Sequence, residues 1–93
     1  MREADLERKF VDTVKRHGGK AYKWVSSANA GVPDRIVFLP GGKIFFVELK
    51  TKTGRLSSVQ TLQIRRLRQF GQDVRVLYGE QDIQEFFDEV LKK

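Results

Sequence analysis

The sequence predicts an α/β domain with its elements in the order α-β-β-β-α-β-α, and three observations predict it. Apolar residues recur at helical spacing in 3–17, 58–70 and 80–93. Between these stretches, 20–25, 34–39, 43–49 and 73–79 alternate or run apolar over strand lengths. Glycine, proline or serine marks most of the junctions.

Each element has its own signals. In the first helix Leu6, Phe10, Val11 and Val14 share one arc, and Gly18 and Gly19 stop it. "KAYKWV" is a short strand, "SSANAG" a loop, and Pro33 restricts the residue before it. The next two strands are joined by "PGG", a hairpin signal. "TKTGRLS" is a loop, Ser57 or Ser58 caps the second helix, and Gly71 ends it. "DVRVLYG" is a strand, and the last helix gathers Ile83, Phe86, Phe87, Val90 and Leu91 on one face.

A chain of 93 residues has room for one domain, taken as residues 1–93, and none for a long linker. Its 40% hydrophobic and 32% charged content argues against disorder. No apolar run reaches the roughly 20 residues of a membrane span, so no membrane partner is expected. The charged start, "MREADLERKF", does not read as a signal peptide. The absence of cysteine excludes disulfides and thiolate metal sites, and fits the cytoplasm. Net charge is +6, and residues 50–75 carry seven bases against one acid, Asp73. Such a surface suits a polyanion, nucleic acid being the commonest; the plainer reading is a solubilising surface.

The hairpin holds the most informative geometry. Side chains two apart share a strand face, so Glu48 and Lys50 lie with Ile44 and Phe46, and Asp34 with Ile36 and Phe38. A three-residue turn, Pro40 to Gly42, pairs Leu39 with Lys43 and sets Asp34 opposite Glu48, with Cβ atoms roughly 5 Å apart. A two-residue turn turns one acid away. Two facing carboxylates repel unless a hard cation lies between them. Such an ion can polarise a phosphodiester and lower the pKa of a bound water, with Lys50 beside it to offset transition-state charge. The spacing D-x(13)-E-x-K is weak evidence alone, since edge carboxylates and surface lysines are common.

Two further placements agree. Glu3 and Glu7 project into the apolar arc of the first helix, where a carboxylate is costly unless paired or metal-bound. Placement in an exposed first turn also explains Glu3, and Glu7 less well. Gln60 projects among Val59, Ile64, Leu67 and Phe70, while Arg65 and Arg68 point away and Arg66 turns toward the buried side. A capping box with Ser57 is the alternative role for Gln60; both roles hold if Ser58 is the cap.

"GVPDRIVF", "FFVELKTKTGRLSSVQ" and the preceding "GGKAYKW" resemble the VRR-Nuc family, virus-type replication-repair nucleases of the PD-(D/E)xK superfamily. The resemblance covers roughly residues 3–85, and the combination of G-x-P-D, E-L-K, "GRLS" and the following Gln is specific. It implies a restriction-endonuclease-like fold, a mixed β-sheet flanked by helices. It implies Mg²⁺- or Mn²⁺-dependent DNA hydrolysis that leaves 5′-phosphates. Asp34 resembles the metal-binding aspartate, Glu48 the second acid, Lys50 the catalytic lysine, Glu7 the first-helix glutamate and Gln60 the motif glutamine. The Leu49 backbone carbonyl is a further metal ligand by the same resemblance. Lys23 matches a first-strand lysine and reads as a phosphate contact, as do Lys52, Arg55, Arg65 and Arg68.

Stand-alone members resemble Holliday junction resolvases, which implies branched DNA as partner, a homodimer, and a phage- or virus-encoded protein acting in its host cell. Apolar residues of the last helix, or Tyr22 and Trp24, are the candidates for the dimer contact. The rival readings are a flap-type nuclease, a non-catalytic structure-selective DNA-binding module, and an assembly module whose acids are incidental.

Overall fold

The computed structural model describes residues 1–92 and has the predicted order: α1 (Glu3–Arg16), β1 (Lys20–Lys23), β2 (Arg35–Leu39), β3 (Lys43–Lys50), α2 (Ser58–Gln69), β4 (Val74–Tyr78) and α3 (Gly79–Val90). Boundaries differ from expectation by one to three residues. The first strand stops at Lys23, although Trp24 N–H still donates to the Asp34 carbonyl at 2.9 Å. The last helix begins one residue early, at Gly79, and ends at Val90. Lys93 lies outside the described residues.

The four strands form one sheet in the order β1-β2-β3-β4. The first three pair antiparallel, and β4 runs parallel to β3. The sheet is therefore mixed, as expected. The parallel pairing requires a crossover, which α2 supplies.

The β2–β3 hairpin has the three-residue turn. Leu39 pairs with Lys43, and the ladder continues to Arg35 opposite Val47. Gly41 and Gly42 both adopt positive φ, 88° and 78°, a conformation that other residues enter at a steric cost. This turn sets the parity of both strands, which in turn decides what faces the core.

One face of the sheet is the core. Val37, Leu39, Phe45, Val47, Leu49 and Leu77 point into it and are buried. They meet Leu6, Phe10 and Val14 of α1 and Ile83, Phe86, Phe87 and Val90 of α3. The aromatic rings interlock, with Phe86 edge-on to Phe45 at 5.2 Å between centroids. The apolar face of the last helix is thus spent on the chain's own core.

The opposite face is different. Of the described helices α2 alone lies on it, packed on β4, and α2 buries a single residue, Ile64. Val59 is 45% exposed and Phe70 78% exposed, so the expected packing of Val59, Ile64, Leu67 and Phe70 holds at Ile64 and fails at both ends of the helix. Arg66 is exposed too, not turned toward the buried side. The physical reason is geometric: a helix covers a strip about 10 Å wide, less than four strands.

Candidate active site

The site forms where the β2–β3 ladder ends. Beyond the last pair, Arg35 opposite Val47, the next residues on the two strands are Asp34 and Glu48. Both point to the α2 face by strand alternation. Glu48 sits on a central strand, between β2 and β4, opposite Val76. It is 1% exposed, the one buried charged residue among the described residues.

Three contacts shape this carboxylate. Gln60 Nε2 donates to Glu48 Oε2 at 3.2 Å. Lys50 Nζ lies 3.6 Å from the same oxygen, with its own side chain largely buried. Glu48 Oε1 is buried and has no hydrogen-bond partner. Burial first, and then the neighbouring Asp34, push the Glu48 carboxyl up from 4.5 to about 7, with Lys50 pulling in the opposite direction.

Asp34 is held from both ends. Its carbonyl accepts from Trp24 N–H, and its Oδ2 accepts from Leu49 N–H at 3.0 Å. On a β-strand a residue's N–H and C=O point to the same side. The Leu49 carbonyl therefore lies on the Asp34 side of β3. Two carboxylates and a backbone carbonyl make an all-oxygen donor set suited to Mg²⁺ or Mn²⁺. A cation there would also satisfy the orphaned Glu48 Oε1. On these grounds the site fits a divalent metal, with Asp34, Glu48 and the Leu49 carbonyl as the residues that would hold it.

Glu7 stands elsewhere. It is ion-paired to the guanidinium of Arg35, whose other terminal nitrogen donates to the Ala21 carbonyl at 3.2 Å. The need for a partner on the core-facing arc is met by this arginine. Among the described residues, no three acidic, histidine or cysteine side chains are grouped to hold an ion, so Glu7 does not complete a carboxylate cluster with Asp34 and Glu48. Glu3 is exposed. Sequence reasoning missed Arg35. The signal was there, because Arg35 has the parity of Val37 and Leu39 and so points toward the core.

The second helix delivers Gln60. Ser57, not Ser58, is the N-cap: its side chain accepts from Gln60 N–H at 3.1 Å, and Gln60 Oε1 accepts from Ser57 N–H at 2.9 Å. Gln60 performs both roles with Ser57 as the cap, since its amide oxygen closes the capping box while its amide nitrogen reaches Glu48. Gly31 makes this approach possible. A Cβ there would lie 2.8 Å from the Val59 backbone, so the loop before Asp34 and the first turn of α2 touch main chain to main chain. Gln60→Ala is expected to cost about 1 kcal/mol through the lost cap. Gln60→Glu keeps the cap acceptor but sets a third carboxylate at Glu48. Urea unfolding separates the two: Gln60→Ala lowers the midpoint at every pH, and Gln60→Glu chiefly above neutrality.

The phosphate-contact candidates divide. Lys23, Lys52, Arg55 and Arg65 are exposed. Arg68 Nη2 donates to the Val74 carbonyl at 2.7 Å, which commits it to the start of β4. Arg75, counted in the basic stretch, is bound by Asp73 and Glu89 and lies over Phe45 and Phe86.

The sequence pattern of the VRR-NUC domain matches residues 2–81. The chain belongs to the VRR-NUC domain family. It is similar to a candidate nuclease, p44, of Acyrthosiphon pisum secondary endosymbiont phage 1, at 44% identity over 77 residues, or 83% of each chain. A solved structure of a VRR-NUC domain superposes with a TM-score of 0.88 at 25% identity, covering 95% of this chain and 96% of the other. The family's fold is that of the PD-(D/E)xK nucleases, consistent with the order and mixed sheet described above. No helix among the described residues is long and apolar enough to cross a membrane.

Proposed function

We propose that the protein is a divalent-metal-dependent, structure-selective endodeoxyribonuclease that cuts branched DNA, four-way junctions foremost, as a homodimer encoded by a phage or virus. One observation carries the catalytic part: a buried carboxylate, Glu48, with an orphaned oxygen, set beside Asp34 and Lys50. A structure retains such a group against its burial cost where a ligand completes it. The family, and the name of the phage relative, favour nuclease chemistry over an incidental cluster.

A divalent cation bound by Asp34, Glu48 and the Leu49 carbonyl would polarise the phosphodiester and acidify a water. The remaining work belongs to the chain's own groups. Leu49 N–H fixes the Asp34 carboxylate, and Gln60 fixes that of Glu48, so neither has to reorganise. The Lys50 ammonium stands where it can orient the attacking water and offset charge building on the phosphoryl oxygens. Arg35, anchored by Glu7 and the Ala21 carbonyl, holds α1 to the strand that carries Asp34. Lys23, Lys52, Arg55 and Arg65, all exposed, are the candidates for contact with backbone phosphates, which position DNA without reading its sequence.

Labelled four-way junction, 5′ flap, splayed arm and duplex, each in Mg²⁺, Mn²⁺ and EDTA, form the test. Paired symmetric nicks on the junction, absent in EDTA, are expected, and flap cutting alone would make it a flap nuclease. Junction binding with no cutting in either metal overturns the catalytic reading. Arg65→Ala should also lower the salt slope of junction binding by about one phosphate contact.

A further inference from the structure

Lys50 has an aromatic neighbour that the mechanism does not use. Strands β3 and β4 run parallel, and their register pairs Lys50 with Tyr78, the two backbones lying roughly 5 Å apart. Alternation puts Glu48, Lys50, Val76 and Tyr78 on one face of the sheet. The other rings of that face are placed differently. Tyr22 and Phe38 lie on the open strip that α2 leaves bare, one and two rows behind the carboxylates. Trp24 packs on Phe46, with 5.5 Å between ring centroids. Tyr78 stands level with the lysine. It is half-buried, and its backbone N–H donates to Asp82 Oδ2 at 2.9 Å, which fixes the chain at that point.

Tyr78 also borders a groove at the end of the sheet, about 720 Å³ in volume, whose walls include Leu6, Lys52, Glu80 and Asp82. The Lys52 stem reaches it along Gly79, where a Cβ would stand 3.5 Å from that of Lys52. Both acids are engaged: Glu80 accepts from Lys9 Nζ at 2.6 Å, and Asp82 from the Tyr78 N–H. Exposed Lys52 therefore gives the groove the charge it can offer a ligand, and that charge suits a phosphate. The groove is continuous with the site, because Lys50 and Lys52 are two residues apart, at most roughly 7 Å along the chain.

We propose that this groove is a subsite for an unpaired nucleotide beside the scissile phosphate, its base stacked on Tyr78 and its flanking phosphate at Lys52. The subsite rests on the nuclease reading and names what that site recognises in a branched substrate. Stacking on an aromatic ring is indifferent to base identity, but it needs a base free of its own stack. Freeing one costs least where the strand is already single or poorly paired, as at a flap or a branch point. A plain duplex offers phosphates and no free base, so Tyr78 favours branched DNA without reading its sequence. The volume agrees, being in the range of small-ligand pockets: a nucleotide fits and a duplex does not.

Binding in EDTA, where cleavage plays no part, is the test. A splayed arm carries 2-aminopurine at each unpaired position next to the branch in turn. One position is expected to lose fluorescence when the protein binds, because stacking on a ring quenches the base. Tyr78→Phe should keep both the quench and the affinity. Tyr78→Ala should lose the quench and bind the splayed arm on the order of tenfold more weakly, with duplex affinity unchanged. Far-UV circular dichroism checks the fold of each variant. If Tyr78→Ala fails to fold, photocrosslinking of the wild type to 5-iodouracil at the quenched position replaces it, with the adduct expected on Tyr78.

A quench that survives Tyr78→Ala overturns the subsite, as does an equal loss of duplex and splayed-arm affinity. So does an adduct that forms only on other residues. In Mg²⁺, Tyr78→Ala should cut the splayed arm with a raised KM and little change in kcat, the mark of lost substrate binding. A Tyr78-dependent quench in a protein that cuts nothing in either metal sinks the nuclease reading and leaves the subsite standing. Cleavage of branched DNA that is indifferent to Tyr78 does the reverse.

Discussion

Replacing Lys50 with alanine is expected to lower metal-dependent DNA cleavage by about two to three orders of magnitude. The ammonium lies 3.6 Å from the Glu48 carboxylate and is largely buried, so its charge acts at short range in a poorly solvated setting. Two effects of its removal oppose each other. Transition-state charge loses a positive neighbour, which slows the chemical step. The two carboxylates lose the same neighbour, which makes the pair more anionic and favours cation binding. The expected signature is therefore a fall in kcat with no rise in the Mg²⁺ concentration needed for half-activation. Lys50→Arg should not rescue, because a planar guanidinium cannot replace a compact ammonium in that space. A mutant that cuts normally at saturating metal would remove Lys50 from the reaction.

The second large effect needs no DNA. Burial and Asp34 raise the folded-state Glu48 carboxyl from 4.5 to about 7. Between those values the native protein holds a proton that the unfolded chain has released. Stability therefore falls as pH rises through that window, and the part due to protonated Glu48 is gone above about pH 7. The loss is on the order of 3 kcal/mol, because each tenfold difference in proton affinity between the folded and unfolded chain is worth about 1.4 kcal/mol. Glu48→Gln should abolish this slope, since the neutral amide has nothing to titrate. Mg²⁺ should flatten it in the wild type, with a proton released on binding near neutrality. Urea unfolding of metal-free protein at pH values across the window provides the check. A flat profile without metal would show that Glu48 is ionised without cost, and the case for a metal site would lose its main support.

Much of the fold was legible in the chain. Helix α1 and helix α3 announce themselves by long apolar arcs, and "PGG" announces a hairpin; of the two turn lengths it allows, the structure has the three-residue one, with positive φ at Gly41 and Gly42. From that turn the parity of β2 and β3 follows, and with it the meeting of Asp34 and Glu48. Helix α2 was read less well. Its periodicity groups Val59, Ile64, Leu67 and Phe70 on one side of the helix, yet Ile64 alone is buried. Periodicity reports which residues share a face and not whether anything covers that face. Glu7 shows the same limit: its position demanded a partner, and the partner is Arg35.

The sequence by itself determined the order of elements and the residue types gathered at the end of the hairpin, because these depend on local backbone preferences and on alternation along a strand; the three-residue turn over the two-residue one was decided by the folded ladder. The sequence also carried the motif that marks the family. Only the tertiary structure decided how each carboxylate is partnered and which oxygen is left over. Burial and pairing depend on what distant segments bring, so Gln60 reaches Glu48 across the sheet, Arg35 takes Glu7, and Glu48 Oε1 is left without a partner. The open strip beside the site is also a tertiary fact. One helix is too narrow to cover a four-stranded sheet, and no local pattern records which half it will leave bare.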